Sequence, residues 1–255
     1  MKNRITALLA AIAVGGSLLL VSGGVVAAAS PSTRPAASGV CAAERTAARS
    51  TPTTESLRAL GDCEINRRFV TLNALSAKIA ASKVLTSSDA SALSAIVSPT
   101  RSGLTSLKAT IDAETDLTAL KADIAKIAPD YRVYLVVVPQ VNLVNGADMV
   151  IAAQAKFATV NTNLSARIAA AKAAGKNTTA AQAALDSMNA SVAAAVALAT
   201  PLPGKLLLLT PAQYNGGTAG PVIQSARTDL GKARDDIKAA IASAKACRDA
   251  LKALH

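Results

Sequence analysis

The stretch PVIQSARTDLGKARDDIKAAIASAKACRDALKAL, residues 221–254 of 255, decides the fold. Its heptad register has an apolar or small residue at every a and d position: Ile223, Ala226, Leu230, Ala233, Ile237, Ala240, Ala244, Cys247, Leu251 and Leu254. Such a register predicts one long helix whose seam faces partner helices. Because alanine dominates one side of the seam, we expect a partner helix to approach closely.

Apolar residues at helical spacing also recur through most of the preceding chain. They predict four further helices, over about 54–82, 88–112, 116–128 and 178–200. Pro99 and Gly103 are expected to bend the second of these, since proline removes a helical hydrogen bond. The Pro- and Gly-rich segment 201–221 is typical of a long crossover loop. We therefore predict an all-α fold, an antiparallel bundle of about five to six helices with bent helices and one crossover.

The segment from Tyr131 to Val144 is ambiguous, because its six Val, two Leu and two Tyr favour a strand by propensity. A lone strand would leave its backbone groups unpaired, and the only candidate partner is the segment 206–209. We prefer a helix that is capped by Asp130, bends at Pro139 and, with its continuation, ends near Gly175. A small hairpin is the alternative.

The N-terminal segment has the organisation of a secretory signal. Lys2 and Arg4 precede an apolar run over 5–21, and small residues at 27–29 offer a cleavage site. We expect a signal peptide over 1–29, a flexible leader over 30–52 with a short helix from Ala42 to Ala48, and one helical-bundle domain over 53–255. Cys41 lacks the small preceding residue of a lipobox, so we predict no lipid anchor. The expected location is secreted or in the cell envelope.

The chain is basic, with 27 Lys and Arg against 16 Asp and Glu and a net charge of +11. Outside the cell, such a charge attracts anionic wall polymers and phospholipid headgroups. The strongest local basic surface comprises five residues opposed only by Asp186: Lys156, Arg167, Lys172, Lys176 and Lys205. We interpret them as possible contacts for an anionic cell-wall polymer, against the alternative of an ordinary solvated face. An envelope protein is the other partner we consider.

Residue types that carry chemistry are scarce. The single histidine, His255, lies at the chain end, where it is poorly placed as a catalytic base or zinc ligand. Four acids lie close together in sequence around a predicted helix break: Asp112, Glu114, Asp116 and Asp123. Acids at such a break are usually caps, although paired carboxylates can also serve glycoside hydrolysis or bind calcium. We expect no catalytic residue, no cofactor and no metal, and therefore a protein that is not an enzyme.

Aromatic residues are also few, with no Trp, two Phe and three Tyr. This argues against stacking platforms for sugars or single-stranded nucleic acid, so no specific nucleic-acid partner is predicted. Tyr131 and Tyr134, with Arg132 between them, could share a helix face and form a small binding patch. The alternative is that both rings pack at a bundle end with their hydroxyl groups in water.

Three cysteines in an exported chain predict one disulfide and one odd thiol. If the first and last long helices pack antiparallel, Cys63 and Cys247 lie at similar depths, and we slightly favour this pair. A bond between Cys41 and Cys63 is the alternative, with Cys247 as a buried thiol.

No segment after residue 29 has about 18 successive apolar residues, so we expect membrane contact without a membrane-spanning helix. The leading functional interpretation is a non-enzymatic scaffold or interaction module of the envelope. The alternative is a membrane-active bundle, lipid-binding or pore-forming, that inserts segments such as 133–144 and 192–209.

A resemblance adds to this interpretation. The region from Glu64 to Val141 contains RRFVTLNALSAKI (67–79), LTSSDASAL (85–93), GLTSLKATIDAETDL (103–117) and DYRVYLVVVPQV (130–141). In its pattern it resembles uncharacterised secreted helical-bundle proteins of high-GC Gram-positive-type bacteria. The resemblance implies an extracytoplasmic location, and it carries no functional residues over to this chain.

Overall fold

The computed structural model describes residues 39–254, and every regular element in this range is helical. The helices are α1 (Ala42–Ser50), α2 (Thr54–Ala81), α3 (Ser87–Ala113), α4 (Leu117–Lys126), α5 (Val138–Ala173), α6 (Thr179–Ala199), α7 (Leu202–Leu206), α8 (Pro211–Asn215) and α9 (Ala219–Lys252). The all-α prediction is confirmed, and six of these helices have ten or more residues. The predicted signal peptide, the leader up to residue 38 and His255 lie outside the described residues.

Side-chain caps fix where the first long helices begin. The Thr53 hydroxyl accepts a hydrogen bond from the Ser56 amide, and the Ser56 hydroxyl accepts one from the Thr53 amide. These two bonds form a capping box at the start of α2. Thr86 caps α3 through a single bond, in which its hydroxyl accepts from the Asp89 amide at 3.0 Å. Helix α3 then runs through Pro99 without a break.

The segment that was ambiguous in sequence is helical, so the hairpin alternative is wrong for the described chain. Val133–Val137 forms a π-helical turn that continues directly into α5. Pro139 has no amide hydrogen and its ring crowds the carbonyl four residues earlier, which explains why a π turn precedes it. The predicted Asp130 cap is wrong, because Arg132 occupies that position in a left-handed conformation (φ 39°) without a side-chain cap bond.

Helix α5 connects two groups of helices. Its first turns lie along α2 and run in the same direction, since Tyr134 lies beside Arg68 while Asn142 accepts a hydrogen bond from Lys78 at 2.6 Å. Helix α3 is antiparallel to α2, because Lys108 in α3 pairs with Asp62 in α2. This first group, α1 to α4, therefore packs around the start of α5.

The remainder of α5 packs with α6 and α9, and we call this three-helix part, residues 150–252, the arm. Helix α6 returns antiparallel to α5, as the hydrogen bond from Asn189 to Asn161 shows. Helix α9 instead runs parallel to α5, because Gly146 meets Leu230 near the start of both. Helix α6 is therefore antiparallel to both of its neighbours in the arm, whereas α5 and α9 are parallel to each other.

The segment between α6 and α9 reverses the chain direction at the end where α5 begins. It was predicted as a loop, and it carries the two short helices α7 and α8. Gln140, fully buried in α5, holds it in place by donating hydrogen bonds of 2.9 Å to the carbonyls of Leu206 and Leu209. Residues of the predicted α9 seam are buried at every position except Leu254, which is partly buried, so the heptad prediction is confirmed.

Candidate anion-binding arm

The disulfide joins Cys41 to Cys63, with a Cα–Cα distance of 5.8 Å, and Cys247 is a buried free thiol. The favoured pairing of Cys63 with Cys247 is thus wrong, and the alternative is confirmed. Cys63 lies one turn before Arg68, which neighbours Tyr134, whereas Cys247 lies near Arg167. Positions 134 and 167 of the same helical run are about 50 Å apart at 1.5 Å per residue, so no bond can join these two cysteines.

The disulfide also corrects the extent of the leader, because the chain is part of the fold from Cys41 onward. Helix α1 packs on α2, and Arg45 forms an ion pair with Glu64 at 2.5 Å. Arg67 and Arg68 bind the same carboxylate at 2.8 and 2.7 Å. Burial raises the pKa of Glu64, but these three guanidinium groups outweigh it and hold the pKa below its usual value.

One group of side chains among the described residues has the spacing of a metal site, namely Cys41, Glu44 and Cys63. Its two sulfur atoms are bonded to each other. Metal ions bind cysteine as the thiolate, which a disulfide does not offer, so this group fits a structural bond rather than a metal.

The proposed tyrosine patch is divided between two faces. Tyr131 packs against Gly103, where an added β-carbon would lie 2.7 Å from the ring. Tyr134 turns to α2 and lies under the guanidinium groups of Arg67 and Arg68, 5.0 and 5.5 Å from its ring centre. Tyr131 therefore packs within the fold, whereas Tyr134 stays exposed beside the two arginines.

Arg132, the third member of that patch, reaches α8. Its guanidinium lies 5.4 Å from the Tyr214 ring centre, and its Nε donates to Asn215 Oδ1 at 2.6 Å. The structure does not bring the three patch residues together as one exposed surface.

The four clustered acids all have structural partners. Asp116 caps α4 by accepting from the amides of Thr118 and Ala119, and Glu114 accepts from two loop amides. Asp112 pairs with Lys108 at 3.0 Å, and Asp123 pairs with Lys126 at 2.7 Å. These contacts support the interpretation as caps and ion pairs rather than as paired catalytic carboxylates.

Charge is distributed unevenly along the described chain. Residues 39–132 contain twelve Lys and Arg and ten Asp and Glu, whereas residues 133–254 contain twelve Lys and Arg and only six Asp. The excess positive charge therefore belongs mainly to the arm, including the crossover segment within it.

The structure spreads the five predicted basic residues over more than one place. Lys156 lies midway along α5, Lys172 and Lys176 lie at the α5–α6 turn, and Lys205 lies in α7 at the opposite end of α6. Arg167 is half-buried and the other four side chains are exposed. None of the five takes part in an ion pair with any residue that the structure describes.

The free end of the arm carries a groove of about 280 Å³ between the last turns of α5 and α9. Its lining comprises Arg167, Ala170, Ala171, Ala174, Lys176, Leu251 and Leu254. Sequence reasoning identified the two cations but not the groove, because the groove depends on α5 and α9 ending together.

Two helices are long and apolar enough to cross a membrane by length and composition alone, Val133–Ala173 and Thr179–Leu206. The expectation that no segment qualifies is therefore wrong. It required an unbroken apolar run, whereas Ala- and Val-rich helices reach the necessary average with polar residues interspersed. In the most apolar part of Val133–Ala173, 56% is buried inside the fold. In the corresponding part of Thr179–Leu206, only 28% is buried.

No family model matches this chain, and the searches of curated proteins and of solved structures likewise returned no similar protein.

Proposed function

We propose that this protein is a non-enzymatic scaffold or interaction module of the secreted or cell-envelope space, held to anionic wall polymers by its basic arm. The observation that carries the proposal is the excess of unpaired positive charge on the arm. Exposed cations without carboxylate partners attract a polyanion at long range and displace the counterions condensed on it.

The extracytoplasmic location is supported by two independent features. The first is the signal-like segment over 1–29, together with the resemblance to secreted helical proteins. The second is the disulfide between Cys41 and Cys63, since such bonds persist mainly in oxidising compartments.

The proposal is tested by mixing the purified protein with isolated anionic cell walls and washing with rising salt. Electrostatic attachment predicts retention at about 0.05 M NaCl and release by about 0.5 M, because screening shortens the Debye length. Retention that does not change with salt would contradict the proposal.

A matched pair of variants locates the contact. Lys156→Gln with Lys172→Gln removes two charges from the arm, and Arg101→Gln with Lys121→Gln removes two exposed charges from α3 and α4. We expect the arm variant to be released at clearly lower salt than the control variant. Equal release of both variants would show that overall charge, and not the arm, governs attachment.

A second candidate function is membrane activity, and the apolar composition and low burial of Thr179–Leu206 favour it. A pore-forming role predicts dye release from phosphatidylglycerol vesicles at micromolar protein. Vesicles that stay intact while the protein still binds walls would leave the scaffold as the sole proposal.

A further inference from the structure

The groove at the free end of the arm combines two chemistries that a wall polymer alone does not require. Its floor and walls are aliphatic, formed by Ala170, Ala171 and Ala174 at the end of α5 and by Leu251 and Leu254 at the end of α9. Arg167 and Lys176 lie at the same opening. A polyanion without apolar parts would contact the two cations but leave the exposed alanines and the partly buried Leu254 in water.

Arg167 is the cation that the fold itself does not explain. Cations in the last turn of a helix offset the helix dipole, which accounts for Lys172 near the end of α5. Arg167 lies about two turns before that end, is half-buried and forms no ion pair with any described residue. A partly desolvated guanidinium beside an aliphatic wall is suited to an anionic oxygen whose neighbouring atoms are apolar.

The size of the groove restricts its occupant to a single chain. Small-molecule pockets usually measure about 300–1,000 Å³, so this one is just below that range. Its length along α5, from Arg167 to Ala174, is about 10 Å at 1.5 Å per residue. Such a volume accommodates part of one acyl chain.

We infer that this groove binds a single-chain anionic amphiphile, with its phosphate or carboxylate head at Arg167 and Lys176 and its acyl chain along the alanines at the end of α5 and Leu254. The inference deepens the proposed function, because it assigns an anionic lipid to the end of the same basic arm. It does not require insertion of any helix into a membrane.

The test is isothermal titration calorimetry of the purified protein with lysophosphatidylglycerol below its micelle concentration. Lysophosphatidylcholine, with the same tail and no net charge, and glycerol phosphate, with the head alone, are the comparison ligands. We expect lysophosphatidylglycerol to bind at least tenfold more tightly than either. Equal binding of the two lysolipids would overturn the role of the cations.

Matched variants test the site itself. Arg167→Gln with Lys176→Gln should weaken lysophosphatidylglycerol binding at least tenfold, and Leu254→Gln should weaken it severalfold. Arg101→Gln with Lys121→Gln removes the same charge outside the arm and should change binding less than twofold. Equal weakening by both charge variants would overturn the groove as the site. Lys176→Gln alone, at an exposed turn, is the fallback if the double variant does not fold.

The outcomes separate this inference from the proposed function. Wall binding without lysolipid binding would overturn the groove and leave the arm's proposed role intact. Lysolipid binding without salt-sensitive wall binding would support the groove and contradict the wall-polymer scaffold.

Discussion

Leu230 of α9 packs directly against Gly146 of α5, so that a β-carbon added at Gly146 would lie 2.7 Å from Leu230 Cδ2. Real β-carbons do not approach other atoms this closely, and Leu230 is buried. The contact sets the separation of the two parallel helices where the arm meets the rest of the fold. Only a glycine at 146 permits it.

Gly146→Ala should therefore lower the free energy of unfolding by about 1 kcal/mol, because overpacking outweighs the helix propensity of alanine. Gly231→Ala is the matched control, since a β-carbon at Gly231 meets nothing within 4 Å. In that variant only the higher helix propensity of alanine acts, and it should stabilise the protein by up to about 1 kcal/mol. Chemical denaturation measures both, and equal stabilisation of the two variants would refute the close packing.

Removing the disulfide tests the attachment of α1. Cys41→Ala with Cys63→Ala should lower the free energy of unfolding by about 3 kcal/mol, the chain-entropy value for a loop of this length. Peptide mapping of the intact protein should find Cys41 linked to Cys63, with Cys247 alkylated only after denaturation. A linked peptide containing Cys247 would contradict the arrangement of the helices.

Glu64→Gln should destabilise the fold by about 2 kcal/mol, because buried Arg68 loses its charged partner. The pKa of Glu64 is lowered in the folded state, so its stabilisation is present above the usual value of 4.5 and is lost as the pH falls through the folded pKa. The wild type should lose stability in acid more steeply than the variant. The exposed Glu55→Gln change is the control, and it should leave the acid slope unchanged.

Asp148 predicts the opposite pH dependence. Burial is the main cause that raises the pKa of this carboxyl, and the neighbouring Asp89 carboxylate raises it further, although the Thr86 amide donates to it at 3.0 Å. A raised carboxyl pKa contributes stability at low pH that is lost as the pH rises through the folded value.

Asp148→Asn should therefore stabilise the protein at pH 8 and lose this advantage at pH 4. The asparagine can still accept from the Thr86 amide and can donate to Asp89. Thermal unfolding across this pH range measures the effect. An asparagine variant that is less stable than the wild type at pH 8 would contradict the raised pKa of the buried Asp148 carboxyl.

The elements that the sequence predicts well are those that depend on local pattern. The α9 seam, from Ile223 to Leu251, is buried as its heptad register indicates. The start of α3 was also predictable, because this helix begins at Ser87, one residue before the predicted start at 88.

The features that could not be predicted from the sequence are those that depend on which helices pack against each other. The disulfide was misassigned because α2 and the end of α9 that carries Cys247 lie beside different parts of α5. Gln140 and Asp148 are isolated polar residues within an apolar segment, a signal of buried polar contacts that could have been noticed. The groove at Arg167 and Lys176 required knowing that α5 and α9 run parallel and end together.

The most direct test of the basic arm is the salt dependence of binding to purified poly(glycerol phosphate). Each cation that releases a counterion contributes to the slope of log Kd against log salt, as in polyanion binding generally. We predict a steep slope for the wild type, a shallower one for Lys156→Gln with Lys172→Gln, and an unchanged one for Arg101→Gln with Lys121→Gln. A wild-type slope near zero, or one that the arm variant leaves unchanged, would contradict this account.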